Sequence, residues 1–187
     1  MEVILASQSP RRRELLGLFR LPFVIRVADI DETMDPNASA YDEVARVSRE
    51  KALAVSRGAD DIVIAADTIV VCQGKVLGKP HTPEEAVEML TLLSGRDHQV
   101  MTGMTVVRGD REISCTEVTY IHFRELSQKE IDAYVATKEP MDKAGAYGIQ
   151  GGAALFAEKM VGDYYNVMGL PVCKLRQIMN ELAPELF

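Results

Sequence analysis

The run at residues 62–71, IVIAADTIVV, constrains the fold more than any other stretch of the chain. Its apolar residues follow one another without alternation, which is typical of a strand covered on both faces of a sheet. Asp67 interrupts this run, and a buried carboxylate is costly unless it is paired, hydrogen-bonded or bound to a metal. Asp67 is therefore the best candidate for a general base or metal ligand, and a structural hydrogen bond to a neighbouring loop is the alternative.

Around this run, predicted strands and helices interleave along the 187 residues. Strands are predicted at 2–6, 23–28, 76–77, 98–108, 112–124 and in the AALF segment 153–156, and helices at 10–19, 41–57, 83–93, 128–137 and 171–182. In the second helix Val44, Val47 and Leu53 are expected to form the apolar stripe. The pattern predicts one α/β domain over residues 1–187, built on a mixed sheet.

Composition excludes several classes of protein. The net charge of −7 and pI near 5.1 argue against a nucleic-acid polymer as partner. Cys72, Cys115 and Cys173 form no CxxC pair and are expected to be reduced, mostly buried thiols of a cytoplasmic protein. No apolar run approaches the length of a membrane span, and no signal peptide is expected.

The segment SQSPRRREL, residues 7–15, places three arginines at a predicted helix start. Ser9 suits the N-cap and Pro10 the first helical position. Positive charge is unfavourable there, because the helix start already carries about half a positive charge and unpaired N–H groups. Taken alone, the arginines fit a solvated basic face. The strand, loop and helix start also fit a site for a polyphosphate, although no P-loop motif is present.

Other polar residues complete the candidates. Asp31, Glu32 and Asp35 form an acidic loop that fits either metal binding or simple solvation. Taken alone, Lys51 and Lys79 fit surface lysines. Gly145, Gly148, Gly151 and Gly152 surround Gln150, and they fit either the close approach of a ligand or a tight structural loop. The amide of Gln150 suits the edge of a nucleobase because it both donates and accepts hydrogen bonds.

Together, six segments resemble the Maf proteins, a family of nucleoside triphosphate pyrophosphatases once described as septum-formation inhibitors. The segments are SxSPRRxELL at 7–16, AADTIVV at 65–71, GKP at 78–80, LSGRxHxVxTG at 93–103, DKAGAYGIQG at 142–151 and NVMGLP at 166–171. The resemblance implies a fold like that of the inosine triphosphate pyrophosphatases: an elongated mixed β-sheet flanked by helices, with a cleft between two lobes. It also implies hydrolysis of a nucleoside triphosphate to the monophosphate and pyrophosphate with Mg²⁺ or Mn²⁺, and a homodimer as a family-level expectation.

Within the family, DKAGAYGIQG resembles the branch that acts on dTTP and UTP, and modified pyrimidine nucleotides and CTP remain open as substrates. The resemblance implies that Asp67 accepts a proton and that Arg12, Thr68 and Gln150 set substrate preference. It matches Ser7, Arg11, Glu32, Lys51 and Lys79 to polar positions of the cleft. Glu32, in preference to Asp31, would join Asp67 at the metal.

Two roles follow from this resemblance. The first is an enzyme that cleans nucleotide pools by hydrolysing dTTP and UTP. The alternative is a nucleotide-sensing regulator of septum formation and cell division that binds nucleotide without turnover. An enzyme acting on a purine or modified triphosphate differs from the first role only in substrate.

Overall fold

The computed structural model describes residues 1–27, 29–55 and 57–187. Within these residues, the strands β1 to β7 are Val3–Leu5, Val24–Ile25, Ile62–Cys72, Lys75–Leu77, Asp97–Arg108, Arg111–Phe123 and Ala157–Val161. The helices α1 to α6 are Pro10–Gly17, Ala40–Ala54, Pro83–Leu93, Gln128–Ala136, Tyr164–Met168 and Val172–Leu182. Short 3₁₀ helices occur at Glu139–Asp142, Ala144–Ala146, Gly152–Leu155 and Pro184–Leu186.

The strands form one mixed sheet, which confirms the predicted fold class. The order is β2-β1-β3-β5-β6-β7, and β4 pairs with β3 off this path. β1 is parallel to β2 and β3, whereas β4 is antiparallel to β3 and β7 is antiparallel to β6. The elongation of the sheet and the cleft between two lobes stay predictions.

The chain divides into two compact units. The first contains 1–67, 102–117 and 169–187, and the second contains 68–101 and 118–168. In the first unit, Ile4 of β1 and Ala6 just after it pack with Val63 and Ala65 of β3 and with Ala52 of α2. In the second unit the core joins α3, α4 and the ends of β5 and β6, and its large side chains are Leu90, Leu93, Ile121, Phe123, Ile131, Tyr134, Tyr147 and Phe156.

Several predicted details were wrong. Strand 23–28 is reduced to the exposed pair Val24–Ile25, and its last residue, Ala28, lies outside the described residues. The second helix ends at Ala54, and Ser56, in its predicted last turn, also lies outside them. Leu53 is exposed, because the buried face of α2 continues through Ser48 and Ala52 instead.

The AALF segment is a 3₁₀ turn and not a strand. Ala153 and Phe156 are buried, whereas Leu155 between them is 76% exposed. Burial of residues three apart is the pattern of a 3₁₀ helix, while a strand would alternate every second residue. Strand β7 begins after it, at Ala157.

The three cysteines are free, as predicted, but they are not mostly buried. Cys72 is buried, Cys115 is intermediate and Cys173 is exposed. Cys173 lies in the first turn of α6, whose buried side chains begin at Leu175. The helix therefore turns Cys173 away from the core.

Candidate active site

In the first unit, two serine hydroxyls hold the loop between β1 and α1. Ser7 is buried, and its Oγ accepts a hydrogen bond from the Ser9 backbone N at 3.2 Å. Ser9 is the N-cap of α1: its Oγ accepts from the Arg12 backbone N at 3.4 Å, and Pro10 occupies the first turn. This confirms the predicted helix start. The loop thereby holds the start of α1 in a fixed position, where the helix dipole favours an anion.

The arginines of this helix start differ in their surroundings. Arg12 Nε donates to the Gly169 carbonyl oxygen at 2.8 Å, and its Nη1 donates to Ser7 Oγ at 3.3 Å. Arg11 and Arg12 are partly buried, whereas Arg13 is exposed. Arg13 therefore fits the interpretation of a solvated basic face. The side chain of Arg12, in contrast, is held by hydrogen bonds within the protein.

The charge of Arg12 is balanced by nearby acidic groups. Burial lowers the pKa of Arg12, and the negative charge of Asp67 acts in the opposite direction. Arg11 lowers this pKa further and Glu32 raises it. A guanidinium stays protonated in proteins, so Arg12 is a fixed cation beside these carboxylates.

Asp67 lies in β3 beyond the buried residues Ile62 to Ala66. Lys51 of α2 places its Nζ 2.8 Å from Asp67 Oδ1 and 2.9 Å from Glu32 Oε2. The side chains of Lys51 and Asp67 are 13% and 14% exposed, and that of Glu32 is 58% exposed. Lys51 is therefore not a surface lysine, and it provides the pairing that a carboxylate in this strand needs.

The acidic loop that carries Glu32 is held by a pair of residues on α2. Arg46 forms a two-pronged ion pair with Glu43, with Nε to Oε1 and Nη2 to Oε2 both 2.8 Å. Arg46 Nη2 also donates to the Thr33 carbonyl oxygen, and the Asp35 backbone N donates to Glu43 Oε2, each at 2.8 Å. Hydrogen bonds from Arg46 and from the Asp35 backbone lower the pKa of Glu43 to about 2.

Asp31 has a different environment from Glu32. Asp31 Oδ1 accepts a hydrogen bond from the Thr33 backbone N at 2.9 Å, which closes a local turn. Hydrogen bonds from Thr33 lower the pKa of Asp31. Glu32 contacts Lys51, so the geometry favours Glu32 over Asp31 as the partner of Asp67.

Three other candidate residues belong to the second unit. Thr68 follows Asp67 in β3 and is partly buried. Lys79 is exposed in the segment after β4, as expected for a surface lysine, and Gln150 is exposed in the glycine-rich segment. In the first unit the structure thus joins Ser7 to Arg12 and joins Lys51 to Asp67 and Glu32. The charges of Asp67 and Glu32 also act on Arg12. Thr68, Lys79 and Gln150 are described with the second unit.

The glycines around Gln150 are required by the protein's own packing. A Cβ at Gly151 would lie 1.9 Å from Glu139 Oε1, and one at Gly148 would lie 2.6 Å from Lys143 Cε. Gly145 has a φ of +68°, and its Cβ would lie 2.8 Å from Val70 Cγ2. Of the two interpretations of this segment, a tight structural loop accounts for these three glycines.

The donor set of the first unit fits a hard divalent cation that arrives with phosphate. Across residues 1–27, 29–55 and 57–187, no group of three or more His, Cys, Asp or Glu side chains could hold a metal ion alone. Glu32 and Asp67 offer two carboxylates that converge on Lys51 Nζ. Mg²⁺ is usually held by one or two carboxylates, with water and substrate phosphate completing its coordination.

Some polar residues around these groups were not identified from the sequence. Glu43, Arg46 and Glu50 have the i, i+3 and i, i+4 spacing of ion pairs on a helix, which is a detectable signal. Gly169 contributes only a backbone carbonyl, 157 residues from Arg12. Nothing in the sequence marks a carbonyl acceptor of that kind.

Among the described residues, no helix is long and apolar enough to cross a membrane. A sequence model of the family described as Maf-like protein matches residues 2–182. A dTTP/UTP pyrophosphatase of Bacillus cereus (strain AH187) is 48% identical over 175 residues, which are 93% of this chain and 92% of that protein. A dTTP/UTP pyrophosphatase of Bacillus anthracis (strain CDC 684 / NRRL 3495) is 49% identical over the same shares.

Among solved structures, a HAM1 protein from Coxiella burnetii matches with a TM-score of 0.53 at 16% identity. The match covers 97% of this chain and 99% of that one. At this identity the likeness concerns the fold alone, and it agrees with the fold class predicted from the sequence.

Proposed function

The chain belongs to the Maf family, and on that premise we propose that it is a nucleoside triphosphate pyrophosphatase that hydrolyses dTTP and UTP. The observation that carries the proposal is the set of contacts in the first unit: Lys51 joins Asp67 to Glu32, and Arg12 is held beside them at a helix start. The names of the relatives, which are similar over 93% of this chain, support the same reaction and the same pyrimidine substrates.

The triphosphate binds at the start of α1. The side chains of Arg11 and Arg12 supply donors to the phosphate oxygens, and the helix dipole favours negative charge at this end of α1. Arg12 is already oriented by Gly169 O and Ser7 Oγ, so little reorganisation is needed when the substrate arrives. Lys79 adds a further cation for the phosphates.

Glu32 and Asp67 are the residues that would hold the divalent cation. Mg²⁺ or Mn²⁺ bound to their oxygens would neutralise charge on the phosphates. Lys51 keeps both carboxylates in place and offsets part of their mutual repulsion. The position of Glu32 depends in turn on the Glu43–Arg46 pair, which fixes the backbone of its loop.

Asp67 acts as the general base. It orients a water molecule and takes one of its protons as the water oxygen forms a bond to the α-phosphorus. The bond from the α-phosphorus to the bridging oxygen breaks, and pyrophosphate leaves with that electron pair. Positioning and electrostatic stabilisation by Arg11, Arg12 and Lys51 supply most of the remaining rate gain.

Gln150 reads the base. Its amide can accept from N3–H and donate to O4 of uracil or thymine, whereas cytosine reverses that pattern. Because a side-chain amide can flip, discrimination against CTP is expected to be weaker than discrimination against purines. Arg12 and Thr68 complete the groups that set substrate preference. The proposal includes a cytoplasmic location, a role in cleaning nucleotide pools, one Maf domain over residues 1–187 and a homodimer.

The alternative, a nucleotide-sensing regulator of septum formation without turnover, is not favoured. The relatives carry the name of an enzyme that consumes its nucleotide.

The test is pyrophosphate release from dTTP, UTP, CTP and a purine triphosphate with Mg²⁺ or Mn²⁺. Wild type is expected to prefer dTTP and UTP, and Asp67→Asn is expected to lose about 10²–10⁴-fold in kcat, the usual contribution of general base catalysis. Asp110→Asn, at the exposed turn between β5 and β6, is the matched control and should retain full activity. Near-normal hydrolysis by Asp67→Asn would contradict its role, and nucleotide recovered unchanged would favour the sensor.

A further inference from the structure

Gln150 lies in a turn of the second unit whose two ends are held by the same pair of side chains. The Gly151 backbone N donates to the Gly148 carbonyl oxygen at 3.1 Å, which makes Gln150 the third residue of a four-residue turn. The Gly148 backbone N donates to the Tyr134 hydroxyl oxygen at 3.1 Å. After the turn, the Gly152 backbone N donates to Glu139 Oε2 at 3.1 Å.

The two holding side chains are joined to each other. The Tyr134 hydroxyl donates to Glu139 Oε1 at 2.9 Å. One hydroxyl and one carboxylate thus form a continuous chain of hydrogen bonds from Gly148 to Gly152. Neither side chain has a hydrogen bond with the Gln150 side chain among the described residues, so the pair fixes the backbone and leaves the amide exposed.

This pair is anchored on well-packed structure. Tyr134 is 6% exposed, belongs to α4 and packs edge-on against Phe156, with ring centroids 5.2 Å apart. Glu139 begins the 3₁₀ helix after α4, and its backbone carbonyl accepts from Lys143 Nζ at 2.7 Å. Burial raises the pKa of the Tyr134 hydroxyl, so it remains a donor at neutral pH.

The fit between the turn and the carboxylate is close. A Cβ at Gly151 would lie 1.9 Å from Glu139 Oε1, so the backbone after Gln150 lies directly against this carboxylate. Two backbone hydrogen bonds, one buried ring and one steric contact therefore fix the backbone from which the Gln150 side chain projects. A group that discriminates between bases by hydrogen bonds must be held to about 0.5 Å.

We infer that Tyr134 and Glu139 are positioning residues for Gln150, and that through it they set the preference for uracil and thymine over cytosine. The inference rests on the proposed function, because it gives Gln150 a base to read. It assigns Tyr134 and Glu139 a part in substrate selection although neither needs to touch the substrate.

The test compares kcat/KM for UTP and CTP in wild type, Glu139→Gln, Tyr134→Phe, Gln150→Ala and both double variants with Gln150→Ala. In Glu139→Gln, the side-chain NH₂ group faces either the Tyr134 hydroxyl or the Gly152 backbone N–H, both of which donate to Glu139 in wild type. Tyr134→Phe keeps the ring against Phe156 but removes the hydroxyl that accepts from the Gly148 backbone N. Each single variant should lower the UTP/CTP ratio by about two- to fivefold, toward the ratio of Gln150→Ala, mainly by raising KM for UTP. Glu88→Gln, an exposed glutamate on α3, is the control and should leave the ratio unchanged.

The double variants separate positioning from a general structural role. If Glu139 and Tyr134 act through Gln150, adding their substitutions to Gln150→Ala should change kcat/KM for UTP by less than about twofold, because coupled residues are not additive. Full additivity, or an unchanged UTP/CTP ratio in active single variants, would overturn the inference and leave the proposed function intact. A wild-type protein that releases no pyrophosphate from any triphosphate would overturn the proposed function, and the inference with it.

Discussion

At the scale of single residues, Lys51 connects the groups of the candidate active site. Its contact with Asp67 is between two side chains that are each less than 15% exposed, whereas Glu32 is 58% exposed. An exposed ion pair contributes little, but a charged hydrogen bond that is shielded from water contributes more. The Lys51–Asp67 contact is therefore the stronger of the two.

Replacing Lys51 by methionine should lower kcat/KM for dTTP and UTP by about 10–100-fold, the equivalent of one charge-assisted hydrogen bond of roughly 1.5–3 kcal/mol. The reason is that Asp67 loses the group that orients it. Steady-state pyrophosphate release measures the effect. Lys129→Met, on the exposed face of α4, is the control and should behave as wild type. An unchanged kcat/KM in Lys51→Met would show that the contact has no role in turnover.

Burial of a second residue, His98, makes the stability of the protein depend on pH. It is 2% exposed, and its Nε2 is 2.8 Å from the hydroxyl oxygen of Tyr147, the tyrosine of the DKAGAYG segment. Burial lowers the pKa of His98 from 6.5 to about 4. Between these values the unfolded chain binds a proton that the native protein does not, so stability must fall as the pH falls through this window.

The slope attributable to His98 should reach ~1.4 kcal/mol per pH unit between roughly pH 6.5 and 4. Urea unfolding at pH 7, 6 and 5 should therefore show a smaller loss of stability in His98→Gln than in wild type. His81→Gln, at an exposed position, should retain the wild-type slope. Parallel curves for wild type and His98→Gln would contradict the assignment of this pH dependence to His98.

At the scale of elements, α2 lies directly against the backbone of β5. A Cβ at Gly103 of β5 would lie 2.1 Å from the Val44 carbonyl oxygen and 2.4 Å from its carbon. Only glycine leaves room for α2 to lie this close to β5. Helix α2 carries Glu43, Arg46 and Lys51. Gly103, the last residue of the LSGRxHxVxTG segment, thus has a packing explanation.

Gly103→Ala should destabilise the protein by about 1–3 kcal/mol or more, because a methyl group has no room in this contact. It should also reduce turnover, since α2 must shift and Lys51 shifts with it. Urea unfolding and pyrophosphate release test both effects. Gly17→Ala, where a Cβ meets nothing within 4 Å, should change stability by less than about 1 kcal/mol. Equal stabilities of the two variants would contradict the packing argument.

The Glu43–Arg46 pair makes a separate prediction about the acidic loop. Arg46→Met removes the donor to Thr33 O and frees Glu43, so the Asp35 amide should exchange with solvent about tenfold faster or more. Hydrogen exchange at neutral pH measures the exchange rate of the Asp35 amide directly. The control is Arg49→Met on the same helix, whose Nε pairs with exposed Glu112 at 2.7 Å. Similar exchange of the Asp35 amide in both variants would show that Arg46 does not hold the loop.

Acid should loosen the same loop. The lowered pKa of Glu43, about 2, means that its contribution to stability is present above about pH 4.5 and is lost as the pH falls toward 2. The ion pair is then broken by protonation of Glu43.

Local sequence motifs predicted the starts of helices correctly where all residues of the motif lie close together in the chain. Thr82 accepts from the Glu85 backbone N, and Ser127 and Glu130 form the predicted capping box, because each motif closes within four residues. The short helix Tyr164–Met168 was missed, and the AALF segment was assigned to the wrong element. A short apolar run cannot distinguish a strand from a 3₁₀ turn, and here long-range burial of Ala153 and Phe156 decided the outcome.

At the scale of the whole molecule, the sequence predicted the mixed α/β sheet and drew attention to Asp67, but it did not predict which residues contact Asp67. The unusual cost of a carboxylate in an apolar strand identified Asp67, whereas the Lys51 contact and the Arg12–Gly169 contact join residues 16 and 157 positions apart. Contacts of that kind depend on how the elements fold together, which no local pattern encodes. The resemblance to a family supplied the residues that local patterns could not.

The proposed reaction breaks the bond between the α-phosphorus and the bridging oxygen, with Asp67 as base. Hydrolysis of UTP in ¹⁸O-labelled water, followed by mass spectrometry of the products, tests this step directly, because the label shows which phosphorus the water attacks. We expect pyrophosphate without label and UMP with one ¹⁸O atom, both lost in Asp67→Asn and retained in Asp110→Asn. Label in the pyrophosphate, formation of UDP and phosphate, or undiminished hydrolysis by Asp67→Asn would contradict the proposed reaction.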